Sequence, residues 1–297
     1  MQAPNYLNKG SKIALVAPAR KIIPEEIESA VAWLNEKGFV PVYDARLFES
    51  CNQYAGDDAF RAAVFQKYLD MPDIDAIWFV RGGYGGLHIV DRLDFTRFKQ
   101  HPKWIVGYSD STVFHGKMQS LGFQSLHATM PLSWNDNSII AKESLFKALT
   151  GAPLHYEWEG FHLNRCGTVE AEMKGGNLSV LYSLLGSDTY PSLDGSILFL
   201  EDLDEYLYHI DRMILALKRA GKFSHLTALA IGSMTQMHDN TIPFGKTVEE
   251  IIMEHVKQYG YPVCFNVPAG HIADNFALPF GKKMRLDITS DSVILDA

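Results

Sequence analysis

The chain has 297 residues, of which 47% are hydrophobic and 21% charged; that balance excludes a largely disordered chain and leaves room for two domains. A net charge of −8 repels polyanions and argues against a nucleic-acid partner. No apolar run approaches the length of a membrane span, no secretory signal pattern is visible, and Cys51, Cys166 and Cys264 form no C-x-x-C pair, so a cytoplasmic protein without a membrane partner is expected.

The first predicted element is KIALVAP (Lys12 to Pro18), a continuous apolar run of the kind found in strands buried on both faces. PEEIESAVAWLNEKG follows as a helix, with Pro24 in its first turn and Gly38 as its stop. FVPVY is a second strand, DDAFRAAVFQKYLDMPDI a helix and DAIWFV (Asp75 to Val80) a third strand. KWIVGYS and STVFHGKMQSLG repeat the strand–helix alternation, which predicts an α/β fold with a Rossmann-like parallel sheet over residues 1–150. The pattern loosens between Ser133 and Pro153 around a short helix, AKESLFKALTG. Residues 151–297 read as a smaller mixed α/β domain. Its elements include the strands SILFLED and LTALAIGSM, helices near HIDRMILALKRAG and TVEEIIMEHVKQYG, and a strand-rich tail, MRLDITSDSVILDA.

Two strand ends carry the chemistry. RGGYGG (Arg81 to Gly86) packs four glycines into six residues, either as a tight turn or as backbone N–H groups aimed at an anion. The dinucleotide fingerprint fails because His88 occupies its last position, and the phosphate-loop pattern fails at Asn240, so no nucleotide cofactor is expected. IVGYSDST (Ile105 to Thr112) places Ser109 on a strand-to-helix turn, where its hydroxyl is either a helix cap or a nucleophile. A serine nucleophile needs an imidazole base and a carboxylate to orient it. His271 in NVPAGHIADN and Glu201 at the end of ILFLE are the candidates; Asp202, Asp204 and Glu205 lie further into the loop. No metal-ligand spacing occurs, so no metal is expected.

The ordered segments VAPAR, IDAIWFVRGGYGG, IVGYSDST, MKGGNLSVLYSLLG, ILFLEDLDEYLYHIDRM and VPAGHIADNFALPFG resemble the LD-carboxypeptidase family, the muramoyltetrapeptide carboxypeptidases, over nearly the whole chain. The resemblance implies a serine peptidase with a Ser-Glu-His triad at Ser109, Glu201 and His271. It implies release of the terminal D-alanine from murein tetrapeptides during cell-wall recycling, a site in the cleft between two domains, and a homodimer. On that reading the Asp110 N–H and an N–H of the Gly82–Gly83 turn hold the oxyanion, and Arg81 is the candidate for the substrate's free carboxylate. Two departures from the family pattern concern the cleft: Ala128 and Thr129 after His127, and Tyr206, Leu207 and Tyr208 after the glutamate. A branch similar to the microcin-C immunity peptidases would cut acyl-sulfamoyl nucleotide amides with the same triad. A non-catalytic module that binds an anion at the glycine turn is the rival outside enzymes.

Overall fold

A computed structural model describes residues 1–297. β1 (Lys12–Val16), β2 (Val40–Val42), β3 (Ala76–Phe79), β4 (Trp104–Gly107) and β5 (Ser125–His127) run parallel in one sheet. α1 (Glu28–Glu36), α2 (Asp58–Asp70), α3 (Thr96–Gln100) and α4 (Thr112–Ser120) fill the connections. Every residue of β3 and β4 is buried, which is why AIWF and WIVG are unbroken apolar runs rather than alternating ones. The strand order β2-β1-β3-β4-β5 places a topological switch between β1 and β3. In open α/β sheets the crevice beyond the carboxyl ends of such a strand pair is where ligands bind.

After α5 (Ile139–Thr150) the chain builds a second sheet. β6 (His155–Glu159) and β7 (Gly167–Asn177) come first, followed by α6 (Leu178–Ser183), β8 (Ile197–Leu203), α7 (Leu207–Arg219), β9 (Ala228–Thr235), α8 (Val248–Val256) and β10 (Val263–Cys264). β11 (Leu278–Phe280), β12 (Lys283–Ile288) and β13 (Ser292–Asp296) close the chain. The order β10-β9-β8-β7-β12-β13-β6 joins a parallel half to an antiparallel one, the mixed α/β character expected. The domain expected to be the smaller carries the larger sheet, seven strands against six.

β11 crosses over: it pairs antiparallel with β5 as the edge of the first sheet, Leu278 opposite His127 and Phe280 opposite Ser125. Three residues with Pro279 at the centre carry no alternation, and an edge is the position where a sheet tolerates proline. The main apolar core spans both sheets, joining Trp78, Val106 and Leu126 to Phe199, Ala230, Phe280 and Leu286. No helix is long and apolar enough to cross a membrane.

Candidate active site

Ser109 follows β4 on a single tight turn that leads into α4, with φ at +63°. A left-handed backbone at a residue with a Cβ is uncommon and strained. The capping alternative does not describe it: neither this turn nor α4 begins with a side-chain cap, and α4 starts from Ser111. The strained turn instead presents the Ser109 hydroxyl to the glycine turn after β3. A Cβ on Gly82 would sit 3.1 Å from the Ser109 Cβ and 3.2 Å from its Oγ, so only glycine lets the two loops approach this closely without displacement. The N–H groups of Gly82 and Gly83 donate to no backbone acceptor. Asp110 ties the loops together, its buried carboxylate accepting from the Gly86 N–H at 2.8 Å. Burial pushes the Asp110 pKa up, opposed by the Gly86 hydrogen bond and the Arg61 charge.

Glu201 lies in β8 and is fully buried. The register with β9 slips opposite it: Leu200 faces Ile231 while Asp202 faces Met234, so β9 holds the extra residue. Such bulges re-aim side chains beside functional sites. Glu201 Oε2 accepts from His271 Nδ1 at 2.7 Å. The preceding Gly270 has φ at +113°, and a Cβ there would lie 2.8 Å from the same oxygen. The Tyr108 ring meets the imidazole edge-on, with centroids 4.8 Å apart. Burial disfavours the His271 cation, but the Glu201 charge and hydrogen bond, with Asp202 adding to them, outweigh that and hold the pKa above its ordinary 6.5.

The competing carboxylates are occupied elsewhere. Asp202 accepts from Asn177, Ser179 and the Leu203 N–H, and burial followed by the neighbouring Glu201 charge raises its pKa to about 7. Asp204 meets His238 at 2.6 Å and Glu205 meets His209 at 2.9 Å.

Ser109 and His271 open into one cavity of about 530 Å³ without a direct hydrogen bond between them. The first sheet's loops contribute Arg20, Arg81, Gly82 and Gly83 to its lining; the last residue of β8, Leu203, and the Asp204 and Glu205 that follow it contribute from the second sheet. Sequence reasoning missed Arg20, which ends VAPAR at the carboxyl end of β1, the same kind of position as the glycine turn after β3. It also missed the buried Arg61, whose Nη1 donates to the Pro18 carbonyl and, at 2.9 Å, to the Gly85 carbonyl, bracing both loops from beneath. Of the two departures, Ala128 and Thr129 are fully buried and belong to the core rather than the cleft wall. Tyr206 and Tyr208 are exposed, with ring centroids 5.7 Å apart.

Comparison with known families matches residues 13–128 to the LD-carboxypeptidase N-terminal domain and residues 170–286 to its C-terminal domain. The chain belongs to the LD-carboxypeptidase family. The murein tetrapeptide carboxypeptidase of Pseudomonas aeruginosa is 30% identical over 93% of each chain. The probable murein peptide carboxypeptidase of Bacillus subtilis is 29% identical over 99% of this chain and 94% of that protein. The crystal structure of the Oxalobacter formigenes muramoyltetrapeptide carboxypeptidase superposes with a TM-score of 0.87 at 26% identity, over 96% of this chain and 98% of the other. The microcin C7 self-immunity protein of Escherichia coli is also similar, at 25% identity over 93% of this chain and 90% of its own length. The matched regions take in the loops after β1, β3 and β4, the end of β8 and the loop after β10, all of which line the cavity.

Proposed function

We propose that this member of the LD-carboxypeptidase family is a cytoplasmic serine peptidase that releases the terminal D-alanine of murein tetrapeptides. The observation that carries the reading is the Glu201–His271 hydrogen bond facing the same cavity as a serine held in a left-handed turn. Two sheets bring together three residues that lie far apart in sequence, and Gly82 and Gly270 give up side chains where one would obstruct the approach.

In the reaction, His271 Nε2 takes the Ser109 proton as Oγ attacks the scissile carbonyl. Glu201 fixes the tautomer through Nδ1 and stabilises the imidazolium. The Asp110 N–H and one from the Gly82–Gly83 turn hold the oxyanion, each donor being worth roughly 3 kcal/mol. His271 then protonates the departing D-alanine amine. Water, deprotonated by the same imidazole, releases the acyl group and restores Ser109. A guanidinium at the β1–β3 end of the cavity, from Arg81 or Arg20, suits the free carboxylate that defines a carboxypeptidase substrate.

Mass spectrometry of a purified tetrapeptide incubated with enzyme tests this. Wild type should release D-alanine and Ser109→Ala should release none while keeping its fold. Release by Ser109→Ala would refute the assignment. One observation favours a second reading, hydrolysis of an acyl-sulfamoyl nucleotide: the exposed Tyr206–Tyr208 pair beside Glu205 offers a surface on which a base could stack. Preferential cleavage of an aminoacyl-sulfamoyl adenosine in the same assay would select it.

A further inference from the structure

Two guanidinium groups line the cavity, and their surroundings differ. Arg81 Nη1 is engaged, donating to the Lys21 carbonyl at 3.0 Å. Arg20 makes no ion pair and no side-chain hydrogen bond, and its Nε is sealed from solvent without an acceptor. A buried donor without an acceptor costs about 1–3 kcal/mol. The segment that bears it is nonetheless fixed. The Ala55 N–H donates to the Ala19 carbonyl at 3.1 Å and the Lys21 N–H to the Gln53 carbonyl at 3.0 Å. The Arg20 stem lies across Gly83, where φ is +104° and a Cβ would come within 2.5 Å of Arg20 Cδ and 2.8 Å of Cγ. The glycine turn thus forms a notch for the arginine at the switch between β1 and β3, where an open α/β sheet receives its ligand.

We infer that Arg20 receives the terminal carboxylate of the substrate, and that Arg81 is a positioning residue that steadies the Arg20 segment through the Lys21 carbonyl. The inference rests on the carboxypeptidase reading of this cavity. Charge supports the direction: the loop after β8 brings Asp204 and Glu205 to the same cavity, so a carboxylate is repelled there and drawn toward Arg20. The guanidinium fork can hold both carboxylate oxygens, which a lysine ammonium does not reproduce.

The test compares a tetrapeptide free acid with its carboxy-terminal amide on wild type, Arg20→Gln, Arg20→Lys and Arg81→Gln. Labelling of Ser109 by a fluorophosphonate is measured in parallel. Wild type should prefer the acid by about 100-fold in kcat/KM, the scale of a lost buried charge pair. Arg20→Gln should abolish that preference, chiefly by raising KM for the acid, while Ser109 still labels at the wild-type rate. Arg20→Lys should recover part of the preference, and Arg81→Gln should raise KM for the acid while retaining a preference for it. Acid preference that survives Arg20→Gln but disappears in Arg81→Gln would overturn the inference alone. No turnover of either peptide by wild type, with Ser109 unlabelled, would overturn the carboxypeptidase reading and this inference with it.

Discussion

At the scale of single residues, the site concentrates strain and charge where the chemistry is proposed. Ser109 holds a conformation that costs a residue with a Cβ about 1–2 kcal/mol, and its neighbours must supply that energy. Ser109→Gly should therefore be more stable than Ser109→Ala by about 1 kcal/mol in urea unfolding, although both lack the hydroxyl. Equal stabilities would mean the turn is unstrained. The raised pKa of His271 has two opposed consequences. A general base must be neutral, so kcat/KM should fall on the acid side with a midpoint above 6.5, and Glu201→Gln should lower both that midpoint and kcat. Stability runs the other way. The imidazolium–carboxylate contribution is complete below the unfolded histidine value and is lost as pH rises through the folded one. Stability measured across this range should decline as activity climbs, and Glu201→Gln should flatten the decline.

At the scale of elements, the loops are tied to one another as well as to their own strands. Asp110 belongs to the turn after β4 but spends its carboxylate on Gly86, in the loop after β3. Asp110→Ala would leave a buried N–H without its acceptor and should cost about 1–3 kcal/mol, measured by denaturant unfolding. The same substitution should also lower kcat, since the Asp110 backbone and the Gly82–Gly83 turn would no longer be fixed relative to each other. An unchanged kcat would show that the tether serves stability alone. On the second sheet, the slip between β8 and β9 plays the corresponding part, turning the end of β8 so that a buried carboxylate meets an imidazole from the loop after β10.

At the scale of the whole molecule, much of this organisation could be read from the chain because its signals are local. KIALV, AIWF and WIVG announce buried parallel strands by composition alone, and the residues that follow two of them, the glycine turn and Ser109, stand at the cavity. Glu201 and His271 could be picked out because each follows an apolar run, although nothing local says they are 2.7 Å apart. The features that escaped are relational. Arg20 gains meaning from Gly83, which lies 63 positions further along, and the bulge at Gly232–Ser233 from the strand beside it. β11 escaped for the same reason, since LPF becomes a strand only because β5 lies open beside it. That borrowed strand bears on how the protein could be divided. A fragment of residues 1–150 would present Ser125–His127 as a bare edge, the situation that promotes aggregation. Residues 151–297 supplied in trans should quench that edge and restore hydrolysis, making the protein a natural candidate for a split-enzyme reporter.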